Sequence, residues 1–127
     1  MKTFQSILLF IIAVILGCIT IPIGIVSSFF ILIYKSNIKA WWAKLGEYFL
    51  IFAIAIDVSG NVALGPLLNL IMIKKNGYKF GNRKETISSV LGKNKQLNTL
   101  TKKGLFLSNI LDRIDPNHVL DSIDNNV

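Results

Sequence analysis

Charge is what this sequence lacks over most of its first half. From Ile7 to Tyr34 there is no Asp, Glu, Lys, Arg or His, and Tyr48 to Ile73 holds only Asp57. A helix of a soluble protein keeps a polar face opposite its apolar stripe, so these stretches are not ordinary surface helices. Acids are scarce throughout: seven Asp and Glu stand against fourteen Lys and Arg in 127 residues, a formal charge of +7. One cysteine, Cys18, excludes an internal disulfide and leaves the redox compartment open. One histidine, His118, has no second ligand near it in sequence, which argues against a zinc centre or a nucleophile–base pair. No glycine-rich phosphate loop follows a strand pattern. Asp112, Asp115, Asp121 and Asp124 lack the alternating spacing and turn glycine of a calcium loop. They read as a solvated acidic end. The expectation is a non-enzymatic chain without metal or cofactor.

What is present is two long apolar blocks and a basic remainder. A helix needs about 20 apolar residues to cross a hydrocarbon core, and both blocks exceed that. The sequence therefore predicts a mostly α integral membrane protein. Its membrane region is 1–73, with a helix over 7–34, an interface turn over 35–47 and a helix over 48–73. A basic, partly helical cytoplasmic tail follows over 74–127. A cleaved signal is disfavoured, because its apolar core ends after about 7–15 residues, whereas this block runs on well past Cys18. The first block would measure about 42 Å as a helix, so tilting or a kink at Pro22 is expected.

Within the first block Ala13, Gly17, Thr20, Gly24 and Ser27 recur at spacings of four and three, on one helix face. Membrane helices associate by close approach over small residues, so this stripe is read as a packing seam. Trp41 and Trp42, flanked by Lys39 and Lys44, suit the headgroup region, where amphipathic rings collect. In the second block Asp57 and Asn61 lie one turn apart with Gly60 beside them. An ionisable group at mid-membrane costs at least about 2.5 kcal/mol. The expectation is that Asp57, Gly60 and Asn61 face the seam of another helix as a polar clasp. A break at Ser59-Gly60 would instead give a re-entrant hairpin. Two full crossings with cytoplasmic ends are preferred, although the hairpin satisfies the positive-inside rule more fully.

The tail carries Lys74, Lys75, Lys79, Arg83, Lys84, Lys93, Lys95, Lys102 and Lys103 against the single acid Glu85 over 74–103. Basic clusters beside a membrane helix attract anionic lipid, and the same charges attract nucleic-acid phosphates. Lipid is favoured, since only Tyr78 and Phe80 are there to stack on bases. A short helical turn over Thr86–Leu91, stopped by Gly92, is expected. A second helix is expected over Thr101–Ile114, where Leu107, Ile110, Leu111 and Ile114 recur at helical spacing ahead of Pro116. That helix suits a membrane surface, apolar face down.

Three strings occur in order: Asp57-Val58-Ser59-Gly60-Asn61, then Glu85-Thr86-Ile87-Ser88-Ser89 with Gly92, then Asp115-Pro116-Asn117-His118. In these the chain resembles a group of small, uncharacterised bacteriophage-encoded proteins with D-x-x-x-N, E-T-I-S-S-x-x-G and D-P-x-H motifs. The resemblance covers roughly the second half. Leu67–Lys84 is an additional stretch between the first two motifs, and Val119 stands where a cysteine often follows. It implies a phage origin and carries no activity with it. The functional expectation is a holin-like protein that oligomerises in the host bacterial inner membrane. The alternative is a structural membrane component of a lipid-containing virion, its tail inside the particle against genome or coat protein. The implied partners are the lipid bilayer, further copies of the chain and other phage proteins.

Overall fold

A computed structural model describes residues 2–35 and 37–127. Among the described residues five helices follow one another: α1 (Thr3–Lys35), α2 (Ile38–Ile71), α3 (Ile87–Gln96), α4 (Lys102–Ile114) and α5 (His118–Asp121). Among the described residues there is no strand, only an isolated antiparallel bridge between Ile73 and Leu100. The chain is thus mostly α-helical, and α1 and α2 are each long and apolar enough to cross a membrane. It divides into two compact units, Met1–Phe49 and Leu50–Val127.

The first unit holds α1 and the opening turns of α2. No side chain of α1 is buried, and the helix continues through Pro22. Thr20 and Ser27 donate their hydroxyls back to the carbonyls of Leu16 and Gly24, so the backbone of α1 absorbs its own side-chain polarity. The interface turn expected over 35–47 is far shorter than that. The Asn37 side chain accepts from the Ala40 amide at 2.9 Å, and this cap starts α2 at Ile38. Lys39, Trp41, Trp42 and Lys44 therefore stand on the first two turns of a helix; Ser36 lies outside the described residues. Trp41 meets Phe29 edge to face at 5.4 Å.

The second unit is built on the rest of α2. Its core gathers Leu68, Ile73, Phe80, Val90, Leu91, Leu100 and Val119. α2 runs unbroken through Ser59-Gly60 and past Pro66, so no re-entrant break is present at that point. Thr101 joins the end of α2 to the start of α4. Its hydroxyl donates to the Ile71 carbonyl at 2.7 Å and accepts the Gly104 amide at 3.2 Å. α4 falls within one residue of its expected span, but its apolar residues part company. Leu107 and Leu111 pack on the core, whereas Ile110 and Ile114 are exposed.

α3 departs from expectation. It begins where Thr86 caps the Ser89 amide, yet it runs through Gly92 to Gln96. A helix pays about 1 kcal/mol for an interior glycine, so another cause must hold it there. A Cβ on Gly92 would collide with the Val119 carbonyl. Gly92 is the place where α5 rests on α3. The stop falls later, at Asn98, whose φ of 54° is left-handed.

Candidate functional site

Between Ile73 and Ile87 the backbone of the second unit is irregular, and buried irregular backbone needs hydrogen-bond partners from elsewhere. Three asparagines supply them. Asn61, wholly buried, donates to the carbonyls of Asn82 and Glu85 at 3.0 and 2.7 Å and accepts the Gly81 amide at 2.9 Å. Asn69 holds both backbone groups of Phe80, donating at 3.1 Å and accepting at 2.8 Å. Asn94, on α3, donates to the carbonyls of Tyr78 and Val90 and accepts from the Tyr78 amide and the Thr99 hydroxyl. Each amide side chain stands in for a missing ladder partner.

Asp57 completes the frame. One carboxylate oxygen accepts the Ile87 amide and the other the Ser88 hydroxyl, both at 3.0 Å. It thereby places a negative charge at the start of α3, where the helix dipole and free amides favour one. Gly60, one turn along, leaves room for the Ile87 side chain at 3.3 Å. This corrects the expected clasp. Asp57, Gly60 and Asn61 grip the chain's own tail, because the tail presents unpaired amides and carbonyls that the apolar seam of a membrane helix does not have.

Beneath α3 lies an ion pair. Glu85, with no exposed side-chain surface, meets Lys93 at 2.6 Å. The same carboxylate accepts from Ser89 at 2.6 Å and from Tyr78 at 3.0 Å. The ammonium also stands over the Tyr78 ring at 4.6 Å. Burial by itself depresses the Lys93 pKa, but the hydrogen bonds it donates to Glu85 and Tyr78 outweigh it and raise the group above the usual lysine value. Lys95 pairs with Asp112, which also accepts the Val119 amide at 3.1 Å. The Lys95 hydrogen bond leads in holding the Asp112 carboxyl below its ordinary range. Lys93 and Lys95 are thus each held in an ion pair within the unit, Lys95 still partly exposed, and Asp112 is a paired group and no part of a solvated acidic end. Both were drawn inward by acids that sequence spacing does not pair with them. Lys74, Lys75, Lys79, Arg83, Lys84, Lys102 and Lys103 are exposed.

The three sequence strings meet at one cavity of about 390 Å³. Asp57, Glu85, Thr86, Ser88 and His118 line it, with Lys84 and Asp124, against an apolar wall of Leu50, Ala53, Ile54 and Val58. Ser88 donates a hydrogen bond to Asp57, and the His118 imidazole pairs with Asp115 at 3.1 Å. The first contact joins two segments far apart in sequence, whereas the second is local to the turn before α5. Among the described residues no group of three His, Cys, Asp or Glu is placed to hold a metal ion. In the first unit Ala13 and Gly17 border a shallow groove on α1, and nothing stands within 4 Å of a Cβ placed on Gly24. No family model, curated protein or solved structure matches the chain.

Proposed function

We propose that this chain is a phage-type integral membrane protein that works without catalysing a reaction, by self-association in the host bacterial inner membrane in the manner of a holin. The observation that carries this reading is α1: 33 residues without one buried side chain. Such a surface is unsuited to water and suited to lipid or to other copies of itself. The stripe from Ala13 to Ser27 offers the close approach that membrane helices use. Asp57, Asn61 and Glu85 are engaged in hydrogen bonds that tie the tail together, which supports a non-catalytic reading.

Expression of the chain alone in bacteria tests this. Growth should stop, and a membrane-impermeant dye should enter the cells. Gly17→Leu with Gly24→Leu should abolish both effects while the protein stays in the membrane fraction. Undisturbed growth with the chain abundant in that fraction would count against the reading. The eight exposed cations of the second unit favour a second reading, a structural component of a lipid-containing virion. Harmless expression together with recovery of the chain in purified particles would select it.

A further inference from the structure

The second half of α2 has two unlike sides. Asp57, Asn61, Gly65 and Leu68 lie beneath the tail, while Ile56, Val62, Leu67 and Leu70 are exposed. At 100° per residue Ile56, Ala63, Leu67 and Leu70 share one face, opposite Asn61. The single polar group near that row, the Ser59 hydroxyl, is returned to the Ala55 carbonyl at 2.8 Å. From Ile56 to Leu70 the row is about 21 Å long. A crossing over 48–73 would put Asn61 at the bilayer centre. Asn61 and Asp57 hold 81–88 against themselves, so Arg83 and Lys84, both exposed, would be drawn in at the same depth. Each costs about 2.5–3.5 kcal/mol there, and irregular backbone facing lipid is not tolerated.

Resting on the reading of the chain as a membrane protein, we infer that α1 is its only crossing. From about Leu50 onward α2 lies along the surface of an anionic leaflet, with its outer row among the acyl chains and the folded tail on the water side. Lipid is the occupant, not a second copy. The unit that bears the row carries eight exposed cations, which attract anionic headgroups and repel their own kind. The same arrangement leaves Lys2 alone on the far side and the other thirteen Lys and Arg on one side, as the positive-inside rule asks.

The test uses the full chain in bacterial inner membranes with Cys18→Ser. Lys39→Cys and Asn125→Cys, made singly, are treated with an impermeant maleimide from either side. Both should label from the cytoplasmic side, at least tenfold over the other. Labelling from opposite sides restores two crossings and overturns the inference while leaving the membrane reading intact. Loss of the chain from the membrane on alkaline extraction overturns both. In a second arm Leu70→Trp, with Trp41→Phe and Trp42→Phe, is reconstituted in vesicles containing brominated phosphatidylglycerol. The indole should lose more than half its emission to bromines near the headgroup and less to deep ones. Absence of quenching at every depth also overturns the inference.

Discussion

Replacing Asn61 probes the most heavily used side chain in the second unit. Asn61→Leu fits the volume but abandons two carbonyls and one amide. A buried group left without a partner costs about 1–3 kcal/mol. Gly81 is exposed and regains water for its amide, so the two carbonyls dominate and the loss is about 2–6 kcal/mol by the same rule. At roughly 4–8 °C per kcal/mol for a unit of this size, the melting midpoint should fall by about 10 °C or more. Asn61→Asp sharpens the test. It keeps an oxygen for the Gly81 amide but turns the other toward the carbonyls of Asn82 and Glu85, so it should be no milder than leucine. The assay is thermal melting of the detergent-solubilised chain, with hydrogen exchange resolved over 81–89. If Asn61→Asp melts within about 2 °C of the parent, a shift worth less than one carbonyl's share, the amide is not acting as a donor and the reasoning fails.

Glu85→Gln should strand the Lys93 ammonium and cost about 3–5 kcal/mol, whereas Glu85→Gln with Lys93→Met should recover a large part of it; thermal melts of both compare the two. Gly92→Ala forces α5 off α3, so exchange protection over 118–123 should collapse while that of α4 persists. Because the Asp112 carboxyl titrates below its ordinary 3.8 when folded, its contribution is complete above that value and fades as pH falls through the lowered one. Asp112→Asn should flatten that acid limb in a melting-versus-pH series. Lys93 has the opposite sign: its raised pKa adds stability below the ordinary lysine range that is lost only as pH climbs beyond it.

Local pattern located much of this fold. Uncharged runs mark α1 and the body of α2, and the period of Leu107 and Leu111 with Pro116 behind it marks α4. The partners of polar residues stayed hidden, because they lie far along the chain. Asp57 reaches Ile87 and Asn61 reaches Glu85, and no window of local sequence contains both ends. A polar face inside an apolar block shows that a partner exists without saying whether it is another helix or the chain's own tail. Asn69, on the same side of α2, was a further sign that this face was organised for backbone. Gly92 misled for a related reason: a glycine required for close approach and one that ends a helix look alike until the neighbour is known. The pairing of Lys93 with Glu85 was disguised by the surrounding excess of lysine, which reads as one basic surface.

Asp57 holds the start of α3, and a double-mutant cycle between Asp57→Ala and Ser88→Ala measures that contact directly. A hydrogen bond to a charged group contributes about 1.5–3 kcal/mol, so the two substitutions should fall short of additivity by at least about 1 kcal/mol in the stability of the second unit. Additivity within about 0.5 kcal/mol would show that Asp57 and Ser88 do not meet, and would send Asp57 back to the search for another partner.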